Sequence, residues 1–127
     1  MSNQLKGNVL IVEDNLVIAL DAQEMLLELG AQSVHLASSN AEALEILDRH
    51  GIQYAMLDIR LGDGTSEDIA ARLTDQHIPF LFASGFETLS KLRDRYPSAE
   101  AIEKPFTRDA LEGALLRLFP DANDVKA

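Results

Sequence analysis

The sequence contains no cysteine among its 127 residues. The chain therefore has no disulfide, no thiolate metal ligand and no cysteine nucleophile. It also lacks an apolar run long enough to cross a bilayer, and its first residues lack the apolar segment of a signal peptide. From these absences we expect a soluble, unprocessed and cytoplasmic protein with no membrane partner.

Positive charge is scarce in the sequence. It has 11 Lys and Arg against 21 Asp and Glu, a formal net charge of -10 at pH 7. Charge of this sign argues against binding to nucleic acid or anionic lipid. Hydrophobic residues make up 46% and charged residues 25%, a balance typical of globular domains. We expect one domain over residues 1–127, with its core from about 7 to 119 and a polar tail over 120–127.

Apolar runs typical of strands alternate with segments of helical spacing. The strands are predicted over 8–12, 32–37, 54–57, 79–83 and 99–103. The helices are predicted over 16–29, 41–49, 66–76, 87–96 and 108–119. This alternation predicts an α/β fold, namely a flavodoxin-like (βα)5 doubly wound sandwich with a parallel sheet of order 2-1-3-4-5.

The first two helices have apolar residues at helical spacing. Leu16, Ala19 and Leu20 are expected near the buried face of the first helix, and Ala43, Leu44 and Leu47 on that of the second. Their starts carry side chains that cap helices well, since the first follows Asp14-Asn15 and the second follows Ser38-Ser39-Asn40.

Acidic residues come directly after two of the predicted strands. Glu13 and Asp14 follow the first strand, and Asp58 follows the third. These strands are neighbours in the predicted order, and ligands of open α/β sheets bind at the carboxyl ends of such a pair. Capping or a turn explains one of these residues, but three carboxylates in one crevice need a proton or a cation. A hard divalent ion such as Mg²⁺ or Mn²⁺ fits this ligand set.

Ser84 and Lys104 follow the fourth and fifth strands at the same predicted edge. An ordinary ion pair is the simplest explanation of a lysine beside carboxylates. A metal, a carboxylate nucleophile, a hydroxyl donor and a cation together are what a transferring phosphoryl group needs. No histidine falls at a strand end, but phosphoryl transfer depends mainly on positioning and charge neutralisation.

The series Glu13-Asp14, Asp58, Ser84 and Lys104, each at a strand end, resembles the signature of bacterial response-regulator receiver domains of two-component signalling. The resemblance covers residues from about 7 to 119. It implies that Asp58 accepts a phosphoryl group from a sensor histidine kinase or a histidine phosphotransfer protein, forming an aspartyl phosphate. It also implies that Lys104 pairs with the acyl phosphate and that Ser84 turns inward to hydrogen-bond a phosphate oxygen.

The same resemblance implies a ligand set for Mg²⁺. Asp14 and Asp58 would bind the ion directly, together with the backbone carbonyl of Arg60, and Glu13 would act through water. The loop 59–64 is shorter than in common receivers, which we expect to alter the surface offered to partners.

The resemblance implies a switch built from Ser84, Phe86, Lys104 and Pro105, with a cis peptide bond before the proline. The segment before Lys104 lacks the aromatic residue that many receivers carry there. Instead, the run Pro-Phe-Leu-Phe-Ala-Ser-Gly-Phe over 79–86 resembles a receiver subclass with the motif Pro-Phe-x-Phe-Ala-Thr-Gly-Tyr. In that subclass the aromatic residue after the glycine is the natural switch candidate. Packing over the end of the fourth strand is the alternative for Phe86.

The expected protein is a stand-alone receiver that catalyses its own phosphorylation and dephosphorylation, with no separate substrate. It would signal through protein contact or onward phosphotransfer, and the helix after Asp14 and the loops around the site are the expected kinase contacts. One alternative is a docking module independent of phosphorylation. Others are a small aspartyl-phosphate phosphatase, which needs a substrate cap, and a cofactor-binding flavodoxin-like domain, which needs a glycine- and hydroxyl-rich turn after the first strand.

Overall fold

A computed structural model of the protein describes residues 5–62 and 64–119, so the predicted tail lies outside the described residues. In chain order the elements are β1 (Asn8–Val12), α1 (Leu16–Glu28), β2 (Ser33–Ala37), α2 (Asn40–Arg49), β3 (Tyr54–Leu57), β4 (Arg60–Leu61), β5 (Gly64–Thr65), α3 (Glu67–Asp75), β6 (Phe80–Ser84), α4 (Phe86–Arg95), β7 (Ala101–Glu103) and α5 (Arg108–Leu116). Within the described ranges no helix has the length and apolar character to span a bilayer.

Five parallel strands form the main sheet, in the order β2-β1-β3-β6-β7. This confirms the predicted order 2-1-3-4-5, counted over the strands of this sheet. Every residue of the central β3 is buried, as expected for a strand covered by helices on both faces.

Alternate residues of β1 divide the core into two layers. Leu10 and Val12 pack in one cluster with residues of α2, α3 and α4. Val9 and Ile11 pack on the other face with residues of α1 and α5. Successive side chains of a strand point to opposite faces, so both layers follow from one apolar run.

Side-chain caps begin three of the helices, and those of α1 and α2 lie at the predicted positions. The side chains of Asn15, Ser39 and Thr107 accept hydrogen bonds from the backbone N–H groups of the first turns of α1, α2 and α5. After α1 the chain turns at Gly30, whose φ of +118° is open to glycine with little steric cost.

The predicted buried faces of α1 and α2 were wrong at three positions. Leu16, Leu20 and Leu44 are exposed to solvent. Leu20 and Leu44 each follow a buried alanine, so they lie about 100° further around their helices. Leu16 lies four residues before Leu20 and shares its outward direction.

The loop 59–64 contains a small antiparallel hairpin that the sequence pattern did not predict. Arg60 pairs with Thr65, and Leu61 pairs with Gly64. The buried side chain of Leu61 anchors the hairpin in the core. Two-residue strands are too short for an alternating pattern, although the glycines at 62 and 64 are typical of a tight turn.

Candidate functional site

The predicted site residues meet at one edge of the sheet. Glu13 follows β1, Asp58 follows β3, Ser84 ends β6 and Lys104 follows β7. The carboxyl ends of parallel strands share an edge, and these strands are neighbours. The structure therefore brings together residues that are up to 91 positions apart in the chain.

Asp58 accepts a hydrogen bond at each carboxylate oxygen. The Ser84 hydroxyl donates to Oδ1 at 2.6 Å, and the Lys104 ammonium donates to Oδ2 at 3.0 Å. The side chain is 11% exposed, so it is oriented by the protein and still reachable from solvent.

Ser84 is buried and its hydroxyl is used twice. Its Oγ donates to Asp58 and accepts the backbone N–H of Ile59 at 3.1 Å. The side chain points inward, and its partner in this structure is the Asp58 carboxylate itself. The hydroxyl thus links the end of β6 to the backbone just after Asp58.

Lys104 bridges two carboxylates. Its Nζ lies 2.8 Å from Glu13 Oε1 and 3.0 Å from Asp58 Oδ2. Burial by itself lowers the pKa of Lys104, but the hydrogen bonds to Glu13 and Asp58 outweigh it and raise that pKa. The lysine is therefore an ammonium at neutral pH. The peptide bond from Lys104 to Pro105 is cis, as predicted.

Glu13 is the most deeply buried carboxylate of the site. Burial raises the pKa of Glu13, opposed by the hydrogen bonds from Lys104 and from the backbone N–H of Asn15. The Asn15 N–H donates to Oε2 at 3.0 Å while the Asn15 side chain caps α1. Sequence reasoning did not find this backbone donor, because its position depends on how the chain turns after β1.

Glu13, Asp14 and Asp58 each place a carboxylate oxygen within 4.8 Å of the other two. With Lys104 as the cation among them, the group has a formal excess of two negative charges. Hard oxygen donors with this excess fit Mg²⁺ or Mn²⁺. Asp14 is exposed and free of hydrogen bonds within the described residues, whereas both oxygens of Glu13 have donors. Both oxygens of Asp58 also have donors, so among the three carboxylates Asp14 is the one with both oxygens free. Direct binding of an ion by Asp14 and Asp58 stays a prediction.

Two further predicted residues lie nearby without joining this network. Arg60 begins β4, and its backbone N–H is 3.4 Å from Asp58 Oδ1, a long contact. The metal-binding role of its carbonyl stays a prediction. Phe86 is the first residue of α4 and is 67% exposed. The alternative in which Phe86 packs over the end of the fourth strand is wrong, because most of the residue faces solvent, and its role in a switch stays a prediction.

A cavity of about 270 Å³ opens beside Lys104, between α1 and the segment that joins β7 to α5. Ile18, Met25 and Phe106 form much of its apolar wall. The cavity was not predicted, because its lining comes from segments about 80 residues apart.

A doubly wound parallel sheet with three carboxylates, a hydroxyl and a lysine at its carboxyl edge is the arrangement expected of a receiver domain. The sequence profile described as "Response regulator receiver domain" matches residues 9–116. The chain belongs to the response regulator receiver domain family.

Three relatives illustrate the similarity. The aerobic respiration control sensor protein ArcB of Escherichia coli (strain K12) is 33% identical over 124 residues, which cover 92% of this chain and 16% of that protein. The transcriptional regulatory protein PdtaR of Mycobacterium tuberculosis (strain ATCC 25618 / H37Rv) is 29% identical over 103 residues, covering 78% of this chain and 50% of that protein. The solution structure of SdrG from Sphingomonas melonis Fr1 is 32% identical, with a TM-score of 0.74, and the match covers 93% of this chain and 98% of that one. The chain thus spans half or less of the length of these two curated relatives.

Proposed function

We propose that this receiver domain accepts a phosphoryl group on Asp58 and uses it to change a protein-binding surface. The observation that carries the proposal is the setting of the Asp58 carboxylate. One oxygen is held by the Ser84 hydroxyl at 2.6 Å, the other by the Lys104 ammonium at 3.0 Å, and two more carboxylates lie close by. This setting supports a positioned nucleophile whose surroundings neutralise the charge of an incoming phosphoryl group.

In the proposed transfer a carboxylate oxygen of Asp58 attacks the phosphorus of a phosphohistidine. A new O–P bond forms, the P–N bond breaks, and the departing imidazole takes up a proton from solvent. The Lys104 ammonium stays close to the carboxylate and balances part of the phosphoryl charge. Hydrolysis reverses the modification, because water attacks the phosphorus and releases phosphate from a regenerated Asp58.

Mg²⁺, when bound, would supply Lewis-acid stabilisation of the phosphoryl oxygens. Asp14 and Asp58 would hold it directly, with the carbonyl of Arg60, and Glu13 would act through water. The Asn15 N–H and Lys104 fix the orientation of Glu13 and so keep that carboxylate at the rim of the site.

The proposed output is a shift between two surface states. Phosphorylation of Asp58 changes the acceptor of the Ser84 hydroxyl from a carboxylate to a phosphate oxygen. Ser84 also holds the Ile59 N–H and lies two residues before the exposed Phe86. We propose that the surface around Phe86, Lys104 and Pro105 responds to this change of partner.

The proposed donor is a sensor histidine kinase or a histidine phosphotransfer protein. Membership of the receiver family supports a donor of this class, and ArcB is described as a sensor protein. The apolar side chains that α1 exposes beside the site, Leu16, Val17 and Leu20, support contact with the donor on that side.

Intact-mass analysis after incubation with acetyl phosphate tests the proposal. We expect the native chain to gain the mass of one phosphoryl group when Mg²⁺ is present and none when EDTA replaces it. Asp58→Asn should gain none, because an amide does not attack phosphorus in this way. Asp75→Asn is the matched control, since Asp75 is exposed at the end of α3, and it should be modified like the native chain.

A native chain that gains no phosphoryl group from acetyl phosphate is next incubated with a phosphorylated histidine phosphotransfer protein. Failure with both donors would contradict the proposal and favour a docking module that works without phosphorylation. Modification of Asp58→Asn at the native level would instead place the acceptor on another residue.

A further inference from the structure

A second concave surface lies on the side of Asp58 away from α1. It is a cavity of about 160 Å³ between the β4–β5 hairpin and α4, here named the hairpin–α4 groove. Its lining includes Ile59 and Leu92, which are buried, and Arg60, Lys91 and Arg95, which are exposed. The groove therefore has an apolar floor and a cationic rim.

Two cationic side chains of this rim differ from most Lys and Arg side chains of the described residues, because they form no ion pair. Most Lys and Arg side chains in the described residues form ion pairs. The four that form none are Lys6, Arg60, Lys91 and Arg93, and two of these line the groove. Glu67 also lines the groove, but it is paired with Arg95, so the two cations without ion pairs concentrate positive charge there in a chain of net charge -10.

Helix α4 places its charged residues along the groove. Thr88, Lys91 and Arg95 follow each other at helical spacing and all line the groove. Arg95 is paired at 2.7 Å with Glu67 of α3. Arg93 lies on another side of α4 and does not line the groove.

We propose that the hairpin–α4 groove docks an acidic segment of a partner protein. Carboxylates of the segment would pair with Arg60 and Lys91, and one apolar side chain would enter the cavity over Ile59 and Leu92. The volume suits a single side chain and falls below that of a site for a drug-sized molecule. Two unpaired cations beside a cavity for one side chain match a short acidic peptide, whereas a nucleic acid needs a longer row of cations along its phosphates.

The groove is distinct from the phosphoacceptor site but adjoins it through the backbone. Ile59 donates its N–H to the Ser84 hydroxyl that also holds Asp58, and it accepts the N–H of Ser66 at the start of α3. Docking needs the charges and shape of the groove and no phosphoryl group. The inference is therefore testable on the unmodified chain, independently of the proposed function.

The test is fluorescence anisotropy with a fluorescein-labelled peptide of glutamates around one central leucine, at low ionic strength. We expect Lys91→Glu and Arg60→Glu each to weaken binding about tenfold, because each reverses a rim charge. Arg93→Glu is the matched control, with the same charge change on the same helix outside the groove, and should stay within about twofold of native. Replacing the leucine of the peptide with glycine should also weaken binding.

Circular dichroism first establishes that each variant is folded. Equal weakening by Arg93→Glu would overturn the proposal, since it would indicate attraction by net charge alone. Tighter binding of a single-stranded oligonucleotide would overturn it in favour of nucleic acid, and a dimer in sedimentation broken by Lys91→Glu would do so in favour of a second copy of this chain. Asp58→Asn should keep peptide binding, so a failure of phosphorylation and a failure of docking give separate results.

Discussion

Ser84 connects two parts of the site through one hydroxyl group. Its Oγ donates to Asp58 and accepts from the Ile59 N–H, and the side chain is buried. Removal of the hydroxyl leaves the Ile59 N–H without an acceptor. It also leaves the Asp58 carboxylate with one of its two side-chain donors. The single residue therefore contributes both to stability and to the orientation of Asp58.

We expect Ser84→Ala to lower the free energy of unfolding by about 1–3 kcal/mol, because unsatisfied buried polar groups carry that cost. Urea titration followed by circular dichroism measures it. Ser90→Ala is the control, since Ser90 is exposed on α4, and it should change stability by less than about 0.5 kcal/mol. Equal effects of the two substitutions would contradict the role given to Ser84.

His35, on the edge strand β2, makes stability depend on pH. The rings of His35 and His50 stack with centroids 4.3 Å apart. Burial, and then the neighbouring His50, lower the pKa of His35 below its ordinary value of 6.5. Well above pH 6.5 this residue is neutral in both the folded and the unfolded chain. As pH falls below 6.5 the unfolded chain takes up the proton more readily, so stability decreases.

We expect the urea midpoint of the native chain to decrease when the pH is lowered from about 7.5 to about 5.5. The decrease should be smaller in His35→Gln. His77→Asn is the control, because His77 is exposed and outside the stack. Asparagine also tolerates the positive φ of 59° at this position. A fall of the same size in His35→Gln and in the native chain would show that the stack does not cause it.

At the scale of elements, α1 has two apolar sides. Ala19, Ala22 and Leu26 are buried against the sheet, whereas Leu16, Val17 and Leu20 face solvent beside the site. A face of this kind next to Asp58 is suited to contact with the proposed phosphoryl donor.

We expect Leu20→Ser to slow phosphotransfer from a phosphorylated histidine phosphotransfer protein about tenfold, because the contact surface loses an apolar anchor. Phosphorylation by acetyl phosphate should be unchanged, since that donor needs no protein contact. Leu27→Ser is the matched control, because Leu27 is also exposed but lies at the far end of α1. Intact-mass time courses with both donors make the comparison, and an equal loss with acetyl phosphate would assign Leu20 a role in the site itself.

The β4–β5 hairpin is the element that the sequence pattern did not predict. The five strands of the main sheet and the five helices were predicted from apolar runs and from caps such as Asn15 and Ser39. The hairpin was not, because two residues per strand carry no periodic signal and its pairing depends on Leu61 entering the core. The predicted buried faces failed at Leu20 and Leu44 because a leucine one position from a buried alanine fits the pattern equally well.

For the molecule as a whole, the net charge of -10 opposes the compact state, and three of the carboxylates are concentrated at one point. A divalent ion held there would bind the folded chain and not the unfolded one. Folding and ion binding are therefore expected to be linked, with the size of the effect set by the ratio of ion concentration to Kd.

We expect Mg²⁺ at a hundredfold excess over its Kd to stabilise the native chain by about 2.7 kcal/mol. The rise in Tm caused by Mg²⁺ should exceed the rise caused by NaCl at equal ionic strength, because Na⁺ screens charge without entering the site. In Asp14→Asn most of the difference between the two salts should disappear. In Asp75→Asn it should remain, because Asp75 is exposed and lies outside the acidic site. Thermal unfolding by circular dichroism measures the Tm of the native chain and of both variants in each salt. Equal rises in Mg²⁺ and NaCl would contradict binding at the acidic site.

The sequence by itself determined the order of the helices and of the five main-sheet strands, and the chemistry of the edge where Glu13, Asp14, Asp58, Ser84 and Lys104 meet. It could do so because each follows an apolar run, and parallel strands bring such positions together. Only the tertiary structure decided the partners of these groups. The bridge of Lys104 between Glu13 and Asp58, the double use of Ser84, the outward Phe86 and the hairpin–α4 groove depend on distances between segments far apart in the chain. Local patterns carry no information about such distances, because packing of the whole chain sets them.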